Sequence, residues 1–408
     1  PPSSTQWQRE GSVEMVTYRA IALFMVSHSV VALVIGIACS YAFMFMPDGT
    51  GSVMSISAER AALLVASEGK LAQVLAKDPR RRLEGCTHHA RGEVLGAESI
   101  VVAPNGSLLA LDRTGVLFRV DASLARSGRL GAHAVGYVGP GRPLGYHLTD
   151  SEHLLICDSL KGLLDLHLPS GELRLLYNAI SYANDLDVAP APREAVAHYG
   201  KVYFTSSTRE PVELARPPHG RPFYDTMNAY LRCMLRGDAS GALLEFDPAT
   251  AQARPLLSGL WFANGVALSA SADYVLVVET LGFRVHRVWL SGERAGTSDI
   301  FASALPGFPD GITRSADGAH FFLAIIAPWS PLLKALRYRL VRGMLARVLP
   351  LTLRFVKRLG LVLKLRASDG AIVDVYSDPT GSHVASVSAV SERHSIDAEG
   401  RARGSLLL

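Results

Sequence analysis

The chain has 408 residues, enough for one large domain or two ordinary ones with an ample core, so folding needs no staples. Its formal net charge of +4 conceals an asymmetry: residues 331–366 hold ten Lys or Arg and no acid, while the remainder carries 31 basic against 37 acidic residues. That balance excludes a general basic face for nucleic acid, and four cysteines are too few for a disulfide framework and too scattered for a zinc site.

An N-terminal tail, 1–19, leads into AIALFMVSHSVVALVIGIACSYAFMFM at 20–46, which is 27 uncharged positions and longer than the roughly 20 that cross a bilayer as a helix. The run predicts a transmembrane helix. A cleaved signal peptide is the alternative, but its apolar core is only about 7–15 residues, and this run continues through Tyr41, Phe43 and Phe45. Arg9 and Arg19 precede it and Asp48 follows, which puts the N-terminus in the cytoplasm. The expectation is a single-pass membrane protein with its bulk lumenal or extracellular, at the endoplasmic reticulum or the plasma membrane. Cys39 and His28 lie in the span, so Cys86, Cys157 and Cys233 allow at most one disulfide downstream. Within the linker at 47–93, Ala61, Leu64, Val65, Leu71, Val74 and Leu75 have helical spacing and predict a short stalk helix over 58–77.

From 94 the pattern changes to short apolar or alternating runs divided by turn residues: SIVVAP, LLALD and VLFRVD, then HLLICD and LLDLHLPSGELRLLY, then KVYFTSS and GALLEFDPATAQARPLL. The phrase returns every 40 to 50 residues or so where insertions are absent, which is the grammar of propeller blades. No long amphipathic helix is read between successive strands through 94–325, which excludes a parallel α/β fold. A β-sandwich is the structural alternative. Asn105, in N-G-S, is a glycosylation acceptor by its motif.

In a propeller the innermost strands line the central channel, so side chains at their entrances converge. Glu98, Asn184, Asn264 and Asp310 each open an inner-strand phrase in a different blade. Two carboxylates and two carboxamides form an oxygen-only set that suits calcium better than zinc or copper. Each also has a plainer reading as a turn cap, and Asn264-Gly265 could equally form a type I′ hairpin turn. Arg209, Ser206 and Ser207 read as blade-turn residues rather than catalysts.

A basic helical insertion occupies 328–360. Leu333, Leu336, Leu340, Met344, Leu345 and Val348 fall on one helical stripe with Lys334, Arg337, Arg342 and Arg347 around it, and Pro350 ends the helix. Such a helix lies in a membrane interface or caps the channel mouth with its charges in water.

The phrases G-R-P-L-G (141–145), N-D-L-D-V (184–188), V-Y-F-T-S-S (202–207), F-A-N-G-V-A-L-S (262–269) and L-P-G-F-P-D-G-I (305–312) resemble the strictosidine synthase-like family, in particular its adipocyte plasma membrane-associated branch. The gluconolactonase and paraoxonase propellers are more distantly similar. The resemblance implies an all-β, six-bladed β-propeller over 94–408, preceded by the N-terminal transmembrane helix. It also implies a Ca2+ held by Glu98, Asn264 and Asp310, with Asn184 as a metal or substrate contact, and hydrolysis of lactones or aryl esters. Asp310 is then the base, with Glu98 as the other carboxylate able to serve. Ser388 stands where the true synthases carry a catalytic glutamate, so alkaloid condensation is disfavoured. Leu144 stands where paraoxonases carry a catalytic histidine, and simple alternation puts the nearby His147 on the opposite strand face. Pro140 and Gly141 replace a cysteine of the plant enzymes. The expected partners are a small ester or lactone and a membrane, the latter through 20–46 and the basic stretch 331–366; nucleic acid is not one. The rival reading is a non-catalytic ligand-binding or adhesion propeller with a structural calcium.

Overall fold

A computed structural model describes residues 53–126, 129–191, 197, 199–218, 220–347, 357–396 and 402–408. The expected span at 20–46, with Cys39 and His28, lies outside the described residues, and among those no helix is long and apolar enough to cross a membrane.

Five four-stranded antiparallel sheets follow one another in chain order. Blade 1 comprises Val101–Val102, Leu108–Leu111, Val116–Arg126 and Arg129–Tyr137, and blade 2 comprises Pro143–Leu148, His153–Asp158, Gly162–His167 and Glu172–Tyr177. Blade 3 comprises Ala183–Val188, Val202–Ser206, Gly241–Asp247 and Gln252–Leu260. Blade 4 runs through Ala263–Leu268, Tyr274–Glu279, Arg284–Trp289 and Ser298–Ala302, and blade 5 through Gly307–Arg314, His320–Pro328, Gly360–Arg366 and Ile372–Asp378. A sixth sheet has two strands, Ser391–Ile396 and Ala402–Leu407. The expected propeller is therefore present, with five complete blades and, between blades 5 and 1, one two-stranded sheet among the described residues.

Separate apolar cores lie between neighbouring blades, as face-to-face packing of twisted sheets requires. Leu111 and Leu117 meet Tyr146 and Ile156 between blades 1 and 2, and Leu276 and Val278 meet Phe321 and Leu363 between blades 4 and 5. The two-stranded sheet joins both ends of the series. Leu406 packs with Phe322 and Val362 of blade 5, and Leu407 packs with Leu108 and Val120 of blade 1.

Aspartates set the tight turns. Asp112 Oδ1 accepts from Thr114 N at 2.8 Å and Val116 N at 3.0 Å, and Asp158 Oδ1 accepts from Leu160 N and Lys161 N, both at 2.9 Å. Such Asx bonds replace backbone partners where the chain reverses.

Two expectations are corrected here. Residues 58–77 form two helices, α1 (Ala58–Ala66) and α2 (Lys70–Leu75), because Gly69 between them adopts a φ of 74° that ends helical continuity. Instead of a stalk, both lie against the blades: Trp329 Nε1 donates to Leu64 O at 2.9 Å, and Lys77 Nζ to Ile372 O at 2.8 Å. The second correction is a helix inside 94–325, α3 (Thr226–Arg236), inserted between the second and third strands of blade 3 after the hairpin Glu213–Ala215 and Phe223–Asp225. Asp225 caps its start and Gly237, at φ 76°, ends it. Ala229, Leu231, Cys233 and Leu235 are all buried, a period of two that imitates a strand in the sequence.

The basic insertion is also built differently from the single stripe expected. A 3-10 helix, Pro331–Arg337, is followed by α4 (Arg339–Arg347), and Val348 and Pro350 lie outside the described residues. Leu333 and Leu336 are buried, but Leu340 and Met344 face out and Arg342 is fully buried. The change of helix type near Tyr338 rotates the second half of the stripe away from the core. Arg342 takes the inward seat because three carbonyls meet it there: Nε donates to Leu235 O at 3.1 Å, Nη1 to Leu336 O at 2.8 Å, and Nη2 to Met54 O.

Candidate functional site on the propeller axis

The opening of the inner strand is irregular in the same way in blades 2 to 5. Register breaks between Pro143 and Tyr146 in blade 2, opposite Phe204 and Ser206 in blade 3 where the partner strand jumps from Leu186 to Ala183, between Ala263 and Val266 in blade 4, and between Pro309 and Ile312 in blade 5. These bulges seat Leu144-Gly145, Asn184-Asp185, Asn264-Gly265 and Asp310-Gly311. Asn264-Gly265 is therefore a bulge inside a strand and not a hairpin turn. A bulge bends the strand and re-aims the side chain it carries.

Glycine follows the aimed residue in three blades because the neighbouring inner strand is too close for a side chain. A Cβ on Gly265 would lie 2.6 Å from Asp310 O, and one on Gly311 would lie 2.5 Å from Ser388 O. In blade 3 the second position is Asp185. Its Oδ2 accepts from Val266 N at 2.9 Å and its Oδ1 lies where a Cβ on Gly145 would sit, so this one carboxylate touches the inner strands on both sides.

The result is a cavity of about 320 Å³ along the axis that Glu98, Asn184, Asn264 and Asp310 all line. Ser388 lines it as well, its Oγ donating to Glu98 O at 3.1 Å. Asn184, Asn264 and Asp310 are 4%, 6% and 3% exposed, so the donors are held against the protein rather than splayed into solvent. Both carboxamides are fixed from behind. Asn184 Nδ2 donates to Ser207 Oγ at 2.8 Å, Ser207 itself donates to Ala263 O at 2.6 Å, and Asn264 Nδ2 donates to Thr280 Oγ1 at 3.1 Å. Each carbonyl oxygen is thereby left for the cavity.

The site is acidic. Burial, then the charges of Glu98 and Asp185, hold the Asp310 carboxyl well above the usual carboxylate range, and only a bond from Asn264 opposes them. Among the described residues no cation counts at Asp310. Glu98 is also raised, by burial, against the pull of Arg142, whose Nη2 lies 3.5 Å from Glu98 Oε2. Asp185 is pushed up to about 7, first by burial and then by Asp187 and Glu98, against its backbone bonds to Val266 and Leu186. Among the described residues no three His, Cys, Asp or Glu side chains gather closely enough to hold a metal by themselves, so the set serves a metal only with its carboxamides counted.

Several residues escape the sequence reading. Asp185 lines the cavity beside Asn184, which strict alternation forbids and the bulge permits. The same argument corrects His147: the Leu144-Gly145 bulge breaks the alternation, and the imidazole lines the cavity with Nδ1 3.5 Å from Asp187 Oδ1. Ser207, read as a turn residue, holds a site residue in place. Leu144 lies outside the cavity and packs with Tyr182, Phe262 and Phe308, which precede the inner-strand donors and close that end of the axis beneath α3 and the insertion. Arg209 pairs with Asp238 at 2.8 Å, and Ser206 Oγ donates to Ser181 O, away from the chemistry. Asn105 is exposed in the first turn of blade 1, with Oδ1 accepting from Ser107 N at 3.0 Å. Cys86, Cys157 and Cys233 are free thiols.

The strictosidine synthase family model matches residues 222–293. Adipocyte plasma membrane-associated protein from Bos taurus is 32% identical over 266 residues, covering 62% of this chain and 59% of the bovine protein. Strictosidine synthase-like 2 from Arabidopsis thaliana is 34% identical over 272 residues, covering 62% of this chain and 66% of the plant protein. The chain thus spans under two thirds of these relatives. Among solved structures, a gluconolactonase from Xanthomonas campestris superposes with a TM-score of 0.45 at 14% identity, over 75% of this chain and 81% of that one.

Proposed function

Because the chain is a strictosidine synthase-like propeller, we propose that its axial oxygen set holds one Ca2+ and hydrolyses lactones or aryl esters. The observation that carries this reading is the arrival of Glu98, Asn184, Asn264 and Asp310 in one cavity from four blades. The donors fit a hard cation. All four are oxygens, two are carboxylates, and Asp310 has acidic neighbours and, among the described residues, no basic partner to neutralise it. A bound Ca2+ would supply Lewis acidity toward an ester carbonyl and acidify a water.

The remaining work falls to the chain's own side chains. Asp310, in its ionised form, takes the proton of a water as the water oxygen bonds to the carbonyl carbon, and it returns that proton to the departing alkoxide oxygen as the C–O bond breaks. Asn264, bonded to the Asp310 carboxylate, orients it. Arg142 favours the ionised form of Glu98, which keeps that carboxylate available as a donor. Asn184, anchored by Ser207, serves as a ligand or contacts the substrate.

Three features complete the proposal. The two-stranded sheet is read as the inner half of a sixth blade, supported by its packing between blades 5 and 1. Residues 20–46 anchor the chain as a single-pass membrane protein, in keeping with the name of the bovine relative and the length of the uncharged run. Asn105 is the glycosylation acceptor on the same side as the propeller. A second reading, a non-catalytic ligand-binding or adhesion propeller with structural calcium, draws on the buried Tyr182, Phe262 and Phe308 over the donor end of the axis.

Turnover of γ-lactones and phenyl acetate, measured with calcium, with chelator and for Asp310→Asn, separates the two. The hydrolase reading predicts calcium-dependent turnover that the variant lowers by about 10²- to 10⁴-fold. Calcium-dependent folding with no turnover on any ester would establish the second reading instead.

A further inference from the structure

We propose that the exposed face of the insertion is a docking surface for an anionic lipid bilayer. The starting observation is a helix that shows large apolar side chains on its outer face. On a surface helix, apolar side chains face the core and charged ones face water. In α4, Ala346 and Leu345 keep to the core, but Arg342 is also 0% exposed and bound to three backbone carbonyls, while Leu340 is 67% exposed and Met344 44%. Leu332 and Tyr338 of the preceding 3-10 segment are 50% and 52% exposed.

Single exposed apolar residues are ordinary on any surface. These are concentrated. Among the described residues, half of the 14 exposed large apolar side chains lie on the insertion, α3, the blade 3 hairpin and the segment at Met54, which pack together over one end of the propeller. The insertion itself carries charge of one sign. Lys334, Arg337 and Arg339 flank the apolar residues, and no Asp or Glu occurs anywhere in 331–366. Among the described residues of the insertion, Lys334 is engaged by Glu68, while Arg337, stacked on Tyr338, and Arg339 are exposed to meet a lipid phosphate. Apolar side chains amid the basic ones of the insertion suit the boundary between acyl chains and acidic headgroups. In the sequence, Met54 stands eight residues after the uncharged run 20–46. The inference is independent of whether the axial site hydrolyses anything.

The test uses the full chain reconstituted in vesicles, with an environment-sensitive fluorophore on Leu340→Cys or Met344→Cys. Leu175→Cys, 51% exposed on the outer strand of blade 2, is the control, and the labelled parent chain corrects for native thiols. With phosphatidylcholine containing about 30% phosphatidylserine, shallow nitroxide-labelled lipid should quench position 340 about threefold more than position 175, and high salt should weaken the effect. Leu332→Cys carrying L340E and M344E, with its melting temperature retained, should fall to the control level. Equal quenching at 340 and 175 would overturn the proposal. So would shielding of the 340 label in lipid-free detergent, because a second protein surface would then cover this face.

Discussion

At Asp310, burial acts together with Glu98 and Asp185, and all three favour the protonated carboxyl. A carboxyl that binds its proton more tightly in the fold than in the unfolded chain stabilises the fold at low pH. That stability is lost as pH rises from the unfolded value of about 4 toward the folded one. For Asp185 the folded value is about 7, so the loss extends into the neutral range. Thermal melts in chelator should therefore show a melting temperature that falls between pH 5 and 8 or so, and Asp310→Asn should flatten the decline. A decline of the same steepness in the variant would remove Asp310 as its source. Gly265 matters for a different reason, since any Cβ there meets Asp310 O at 2.6 Å. Gly265→Ala should cost about 2 kcal/mol by denaturant unfolding, with weakened calcium binding, because the strand carrying Asp310 must move.

Asp378 organises the element that brings Ser388 to the axis. Its carboxylate accepts from Thr380 N and Oγ1, Gly381 N, His383 N and Val384 N at 2.8–3.0 Å. Burial raises its pKa, but these bonds outweigh burial and bring it down to about 2. Here the sign is opposite to that at Asp310: the stability is present above the unfolded value and lost as pH falls through about 4 to about 2. Asp378→Asn should lower stability by about 2 kcal/mol at neutral pH and remove this part of the acid transition, as urea titrations at pH 7 and pH 3 would measure. The blades themselves were legible, because their turns are written in Asp, Asn and Gly and their strands alternate. The helix α3 was not, since burial on two sides gives Ala229, Leu231, Cys233 and Leu235 the period of a strand. Nor was the inward seat of Arg342, which depends on carbonyls at Met54 and Leu235 that no local pattern reveals.

Across the whole molecule, the axial set was legible because four blades repeat one phrase with an oxygen at one place in it. The consequence of the bulges was not, and so Asp185 and His147 were missed as cavity residues while Ser207 passed for a turn. Closure between blades 5 and 1 likewise rests on Leu406 and Leu407, whose partners lie far away in sequence. The most direct measurement is the anomalous difference map of a crystal soaked in calcium. One peak is expected on the propeller axis, about 2.3–2.6 Å from oxygens of Glu98, Asn184, Asn264 and Asp310. An axis without a peak at millimolar calcium, or a peak held by other residues, would contradict the account.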